Sequence, residues 1–292
     1  MISEPALDRL SAMFQAPDVT GTRYQLISVL GRGGMGVVYL ARDTVLEREV
    51  ALKIVERPSD EGNEARILAR LEHPGIVPVH DFGELPDGRL FYAMKRVRGD
   101  RLDRWMATER DLAQRLGVFL RVCETIAFAH AHGVIHRDLK PENVMVGEFG
   151  EVLVLDWGVA RLPNAEGGSG IAGAIVGTPD YMAPEQARGD AGVDHRVDVF
   201  ALGAMLESIA SSAAPVLAIA RKARAAEAAA RYQDVQALAA DVSRFLAGRA
   251  VEAHRERLID RLSRFGRRYR LPILLVLTYL VVRLLFLWLM RI

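Results

Sequence analysis

The spacing of hydrophobic positions changes about a third of the way along the chain. From Tyr24 to Val97, apolar residues alternate with polar ones or form short β-branched runs, as they do in strands. Beyond residue 99 they recur at helical spacing. The predicted elements are strands over 24–30, 36–43 and 49–55, a helix over 64–71, two strands around a turn at 86–88, and helices over 101–107, 111–132, 194–210, 214–228 and 232–247. We therefore predict an α+β protein whose β-rich first lobe (23–98) precedes a helical second lobe (99–248), after a short extension over 1–22.

The end of the chain is apolar on every face. Residues 271–290 are apolar apart from Thr278, Tyr279 and Arg283, and twenty residues rise about 30 Å as a helix, the thickness of a bilayer core. This predicts a single transmembrane helix in the cell membrane, with the lobes on the cytoplasmic side because the preceding segment is rich in arginine. The alternative is a buried helix of a soluble domain.

The segment before that helix, residues 249–270, has two open interpretations. Residues 254–270 contain seven arginines against Glu256 and Asp260. One interpretation is an amphipathic helix on anionic lipid headgroups, since Leu258, Ile259 and further apolar residues share one face. The other is a solvated connector whose arginines only set the membrane topology.

Composition excludes several classes of protein. The 292 residues include 38 Lys and Arg against 37 Asp and Glu, a formal charge of +1, so a nucleic-acid partner is not expected. The single cysteine, Cys123, cannot form an internal disulfide and is predicted to be a small core residue in a reducing compartment. A secretory signal is not expected, because the first residues carry acids and lack a sustained apolar run.

Candidate chemistry is concentrated in VIHRDLKPENVMV, residues 134–146, a polar loop that we predict to lie between two short buried strands. Asp138 is a free carboxylate that can accept the proton of an attacking hydroxyl. Asn143 and Asp156, the latter at the end of an apolar strand, offer the oxygen ligands that suit Mg²⁺ bound to phosphates. This set of residues supplies the positioning and charge neutralisation that phosphoryl transfer needs.

The first lobe contributes a glycine-rich loop and a lysine. GRGGMG, residues 31–36, lies between strands, so it is expected to cover a nucleotide from above, although tight hairpins also use such glycines. Lys53 lies in the middle of an apolar strand and needs a partner, for which Glu64 is the candidate. A solvated strand face is the alternative for Lys53.

Taken in order, the glycine loop, VALK, Glu64, HRDLKPEN, DWG and GTPDYMAPEQ resemble the motifs of the bacterial, eukaryotic-like (Hanks-type) serine/threonine protein kinases. The resemblance implies a two-lobed kinase fold over 23–248, an ATP- and Mg²⁺-dependent enzyme (with Mn²⁺ as a substitute) and protein substrates. It leaves open whether two copies form a homodimer for trans-autophosphorylation. It assigns catalytic roles to Lys53, which holds the α- and β-phosphates, to Glu64, which holds Lys53, to Asp138 as base, and to Lys140 at the γ-phosphate, with Asn143 and Asp156 as metal ligands. The residues implied to surround ATP are Leu30, Gly31, Arg32, Gly33, Gly34, Met35, Gly36, Val38, Ala51, Lys53, the gatekeeper Met94, the hinge residues Lys95 and Val97, and Met145.

The resemblance extends to supporting and regulatory residues. Asp198 is implied to brace the catalytic loop, and Glu185 to pair with Arg231. Arg137 implies control by a phosphorylated residue of the segment 156–185, for which Ser169 is the hypothesis, whereas Thr178 is expected to shape the site of the substrate serine.

Two departures from the family pattern concern substrate choice and activity. Trp157 stands where the family carries Phe, and is expected to preserve activity because it is equally bulky and apolar. The stretch from Gly203 to Arg231 is short for a region that helps to dock substrates. A pseudokinase that only binds nucleotide or partners remains an alternative, as does a small-molecule kinase.

Overall fold

A computed structural model of the chain describes residues 17–33, 36–55, 67–68, 70–108, 111–157, 178–190, 192–210, 212–254 and 270–289. Gly34, Met35, Glu64 and Ser169, on which several predictions depend, lie outside these ranges.

The first lobe is an antiparallel five-stranded sheet in the order β1-β2-β3-β5-β4. Its strands are β1 (Tyr24–Gly33), β2 (Gly36–Asp43), β3 (Arg48–Val55), β4 (Val79–Glu84) and β5 (Leu90–Lys95). Alternating β-branched side chains pack on one another across the strands, and Tyr24, Leu52 and Phe91 are buried in a common core. The predicted strands over 24–30, 36–43 and 49–55 and the turn at 86–88 are confirmed.

The second lobe is mainly helical. It comprises β6 (Gly99–Arg101), α1 (Leu102–Ala107), α2 (Leu112–Ala131), β7 (Val144–Gly147), β8 (Val152–Val154), α3 (Pro184–Ala187), α4 (Arg196–Ala210), α5 (Ala214–Ala223) and α6 (Val235–Leu246). Helix α2 begins where the side chain of Asp111 accepts a hydrogen bond from the backbone N–H of Gln114. Its residues Leu116, Phe119 and Ile126 are fully buried and form the centre of the core.

The structure corrects two predicted elements. Val134 and Ile135 do not form a strand, and β7 instead pairs with β8 and with β6, a strand of three residues that was not predicted. The helix predicted over 214–228 ends at Ala223. The guanidinium of Arg231 binds the carbonyl oxygens of Ala225 (2.8 Å) and Ala226 (3.0 Å), which turns that backbone away from the helical path.

Ordered packing of the second lobe continues beyond the predicted boundary at 248. Val251 is buried in the core, and the carboxylate of Asp241 accepts hydrogen bonds from the backbone N–H groups of Glu252 (2.8 Å) and Ala253 (3.0 Å). Tyr232 donates its hydroxyl to the same carboxylate at 2.7 Å. This cluster fixes the position at which the chain leaves the lobe.

The C-terminal segment contains helix α7 (Arg270–Leu289), in which the side chains of 274–283 are described and exposed. Within the described residues, no helix combines the length and apolarity that crossing a membrane requires. The transmembrane anchor predicted over 271–290 is therefore not supported.

Candidate active site

Lys53 reaches the cleft between the lobes from the middle of β3. In the sheet it lies opposite Val38 of β2 and Tyr92 of β5, and its side chain is only 8 % exposed. Its Nζ atom lies 3.4 Å from Oδ1 of Asp156, which belongs to the second lobe. A buried ammonium requires a nearby carboxylate, so this contact joins the two lobes at one point.

Asp138 lies at the centre of a hydrogen-bonded group in the second lobe. Its Oδ2 accepts from Nζ of Lys140 at 2.8 Å and from Nδ2 of Asn143 at 3.1 Å. Its Oδ1 accepts from the backbone N–H of Thr178 at 3.2 Å, and the Thr178 hydroxyl lies 3.3 Å from the same oxygen. Lys140 also donates to that hydroxyl at 2.8 Å. The Asp138 carboxylate is therefore held beside a lysine and a hydroxyl.

The backbone of this loop is braced by Asp198, at the first turn of α4. Asp198 is fully buried, and its two carboxylate oxygens accept from the N–H groups of His136 and Arg137, both at 2.8 Å. Arg137 has a φ of 71°, a strained conformation for a side chain of this size, which these bonds hold in place. Burial alone would raise the pKa of Asp198. The hydrogen bond from His130 at 2.7 Å, the nearby histidines and the backbone N–H of Arg137 outweigh burial, so the pKa lies below its usual value.

Asn143 and Asp156 lie on adjacent strand ends. The backbone N–H of Leu155 donates to the carbonyl of Asn143 at 2.8 Å, and Asp156 follows with a φ of 59°. Since the amide nitrogen of Asn143 donates to Asp138, the amide oxygen is left as an acceptor, next to a carboxylate. Two such oxygen ligands fit Mg²⁺, which commonly takes its other ligands from phosphates and water. Among the described residues, no group of three or more His, Cys, Asp or Glu forms a metal cage.

Comparison with known proteins agrees with this arrangement. The sequence model of the protein kinase domain family matches residues 24–273. The chain belongs to the protein kinase family. It is 32% identical to the serine/threonine-protein kinase PknD of Chlamydia caviae, over 77% of this chain and 31% of the relative. It is also 40% identical to the DNA damage-responsive serine/threonine-protein kinase RqkA of Deinococcus radiodurans, over 66% of this chain and 30% of the relative. The chain thus spans about a third of the length of these curated relatives.

In this kinase, two supporting roles that the resemblance implied are confirmed by geometry. Asp198 braces the catalytic loop as described. Arg231 forms a bidentate ion pair with Glu185, in which the two terminal guanidinium nitrogens lie 2.6 and 2.8 Å from the carboxylate oxygens. The Arg231 side chain is fully buried. Burial raises the pKa of Glu185, but the hydrogen bonds from Arg231 and the backbone bring it below its usual value.

Trp157 is buried among residues of the second lobe. The ring is 1% exposed, its centroid lies 4.7 Å from that of His136, and its Nε1 donates to the carbonyl of Val154 at 3.2 Å. The indole therefore forms a buried contact directly beneath the loop that carries Asp138.

Of the residues implied to surround ATP, those that the structure describes lie on strands, apart from Val97, which follows β5. Ala51 on β3 pairs with Met94 on β5, and Val38 on β2 pairs with Lys53. Lys95 is exposed and approaches Glu151 of the second lobe at 3.8 Å. The other described residues implied to surround ATP are Leu30, Gly31, Arg32 and Gly33 in β1, Gly36 in β2, Val97 after β5 and Met145 in β7. Gly34, Met35 and the expected Lys53 partner Glu64 lie outside the described residues. The nucleotide-binding roles of the whole set stay predictions.

Two residues of the site were not predicted. His130 binds Asp198 from the last turn of α2, and Gln186 donates its amide to the carbonyl of Arg137 at 2.7 Å. A histidine in an apolar helix and a glutamine in a helix of four residues carry no local signal of such distant contacts. His130 therefore acts on the catalytic loop through Asp198, whereas Gln186 binds the backbone of the loop directly.

Proposed function

We propose that this protein transfers the γ-phosphate of ATP to serine and threonine hydroxyls of protein substrates, using Mg²⁺. The observation that carries the proposal is the convergence of Lys53, Asp156, Asn143 and Asp138, which come from three parts of the sequence and meet at the cleft between the lobes. The names of the relatives support serine/threonine specificity.

In the proposed reaction, Asp138 orients the substrate hydroxyl and accepts its proton as the oxygen attacks the γ-phosphorus. Thr178, whose hydroxyl lies 3.3 Å from Oδ1 of Asp138, marks the side from which the substrate hydroxyl approaches. Lys140 contacts both groups and is well placed to balance charge on the transferred phosphoryl group.

Lys53 holds the other phosphates of ATP, and Asp156 and Asn143 would hold the metal ion. A divalent ion held by these two residues would supply positive charge to the phosphates. The half-exposed Asp156 and the buried Lys53 thereby link the nucleotide to both lobes.

The test is transfer of labelled phosphate from ATP to a generic basic protein by the purified full chain, with Mg²⁺ present. Asp138→Asn keeps the size of the side chain and removes its basicity, so we expect the rate to fall by about 10²–10⁴-fold. Asp190→Asn is the matched control, because Asp190 is an exposed carboxylate paired with Arg188. Nucleotide binding without transfer by the wild type would favour a pseudokinase, and equal labelling by both variants would indicate a contaminating kinase.

We also propose that the C-terminal segment attaches the kinase to the cell membrane, with the catalytic lobes in the cytoplasm. The apolar run over 271–290 and the arginines before it support this, as do Leu275, Val276 and Leu280, which are 45–69% exposed in α7. Co-sedimentation of the full chain with vesicles of mixed neutral and anionic lipid tests it. A version ending at residue 254 should stay in the supernatant. If the full chain also stays there, this attachment is ruled out.

A further inference from the structure

The peptide group that joins Arg137 to Asp138 has a partner outside the catalytic loop. Nε2 of Gln186 donates to the carbonyl oxygen of Arg137 at 2.7 Å, which is short for an N–H···O hydrogen bond. The two residues are 49 positions apart in the sequence. The bond therefore connects the backbone next to the proposed base with helix α3.

The backbone of Arg137 depends on such support because it is strained. Its φ of 71° lies in the left-handed region, which a residue other than glycine adopts only where its surroundings impose it. The N–H group of Arg137 donates to Oδ1 of Asp198 at 2.8 Å, and its carbonyl oxygen accepts from Gln186. Both polar groups of this backbone are thus bound by side chains, one from α4 and one from α3.

The two ends of the peptide between Arg137 and Asp138 are held unequally. At one end, the backbone nitrogen of Asp138 lies 3.3 Å from Nδ1 of His136, which is a long and weak hydrogen bond. At the other end, the bond from Gln186 to the carbonyl oxygen measures 2.7 Å. The orientation of this peptide, and with it the direction in which the Asp138 side chain leaves the backbone, therefore depends more on Gln186 than on His136.

Gln186 is attached to a backbone that is itself fixed. Its neighbour Glu185 forms the ion pair with the fully buried Arg231, and the carbonyl oxygen of Glu185 accepts from the backbone N–H of Asp190 at 3.0 Å. The hydrogen bond to Arg137 then requires only the side chain of Gln186 to be ordered, which keeps its entropic cost small.

The segment that carries Gln186 also contacts the carboxylate of Asp138. The backbone N–H of Thr178 donates to Oδ1 of Asp138 at 3.2 Å. Residues 178–187 thus bind Asp138 at its carboxylate, and through Gln186 they hold the peptide that precedes it.

We propose that Gln186 is a positioning residue for phosphoryl transfer, which orients the Asp138 carboxylate by fixing the peptide before it. The proposal rests on the proposed function, in which Asp138 accepts the proton of the substrate hydroxyl. Gln186 contacts neither ATP nor the substrate in this mechanism, so its loss should lower turnover and leave the binding of both unchanged. A displacement of about 1 Å at a catalytic group is enough to cost a large factor in rate.

Gln186→Met tests the proposal, because methionine keeps an unbranched side chain of similar length and removes the amide. In the labelled-phosphate assay with the generic basic protein, we expect kcat to fall about 10–100-fold, while KM for ATP and for the protein changes by less than about twofold. Gln186→Glu keeps the shape of the side chain but places an acceptor opposite the Arg137 carbonyl, so its kcat should fall at least as far.

Two controls accompany these variants. Gln236→Met makes the same change at an exposed position of α6 and should keep the wild-type kcat. Thermal denaturation shows whether each variant is folded at the assay temperature, and Gln186→Glu decides the result if Gln186→Met is not.

A double-mutant cycle distinguishes positioning of Asp138 from general support of the lobe. If Gln186 acts through Asp138, adding Gln186→Met to Asp138→Asn should change the residual rate of transfer by less than about twofold. A residue that only supports the lobe would lower the residual rate by the same factor as it lowers the wild-type rate, and that result would refute the proposal.

The outcomes separate this proposal from the proposed function. If the wild type is active and both Gln186 variants keep kcat within about twofold, or change only KM, the positioning role is refuted while the kinase activity stands. If the wild type transfers no phosphate to the basic protein, the proposed function fails and the positioning role fails with it.

Discussion

The two sides of the active-site cleft are held by different kinds of interaction. On the catalytic-loop side, the Asp138 carboxylate has contacts of 2.8–3.3 Å with Lys140, Asn143 and Thr178, and the loop is fixed by the buried Asp198. On the nucleotide side, Lys53 meets Asp156 at 3.4 Å, and Asp156 is 43% exposed. Both carboxylate oxygens of Asp138 thus have protein partners, whereas the carboxylate of Asp156 is accessible to metal and phosphate. Preorganisation is therefore concentrated around Asp138, the residue proposed to accept the proton.

The largest expected effect comes from removing the brace of the catalytic loop. Asp198→Ala leaves the N–H groups of His136 and Arg137 buried without acceptors, so the free energy of unfolding should fall by about 3 kcal/mol and transfer activity should be lost. Urea denaturation followed by circular dichroism measures the first, and the labelled-phosphate assay the second. Asp190→Ala, at an exposed carboxylate, should change neither quantity. A stable Asp198→Ala with normal activity would contradict the importance of this brace.

A smaller effect, confined to function, is expected on the nucleotide side. Lys53→Met removes the charge from β3 but keeps an unbranched side chain, so kcat/KM for ATP should fall by about 10²–10³-fold. The melting temperature should change little, because Met packs well among apolar strand neighbours. A large loss of stability in this variant would show that Lys53 has a structural role as well, and the contrast between the two sides would weaken.

The smallest expected effect concerns the stability of the folded protein at low pH. The folded protein holds the pKa of Asp198 and of Asp241 below the unfolded value of about 3.9, because hydrogen bonds outweigh burial. Their contribution to stability is therefore complete above about pH 5 and is lost as the pH falls through the folded pKa values. Thermal denaturation between about pH 6 and pH 3 should show this decline. The decline of the melting temperature with falling pH should be less steep in Asp241→Asn. An unchanged slope would argue against a contribution of Asp241 to stability in acid.

The sequence predicts the strands of the first lobe well because alternation is a local property. It also predicts which residues meet at the cleft, since Lys53, Asp138, Asn143 and Asp156 belong to motifs with a fixed order. The ion pair of Glu185 with Arg231 was predicted in the same way.

Contacts that depend on three-dimensional packing were not predictable. The strand β6 has only three residues and forms because β7, more than forty residues later, offers a partner edge. The helix predicted over 214–228 is shortened because Arg231 needs carbonyl oxygens that a continued helix would keep for itself. No periodicity of the chain contains that information.

The Asp241 cluster has a consequence for the range over which this kinase acts. It fixes the chain to the catalytic lobe up to Ala253, so the tether to α7 is the short stretch from 255 to 269. Whatever its conformation, such a stretch reaches at most about 50 Å. If α7 is immobilised, the point where the chain leaves the lobe cannot move further than this from α7, and lengthening the segment would extend the reach of the active site.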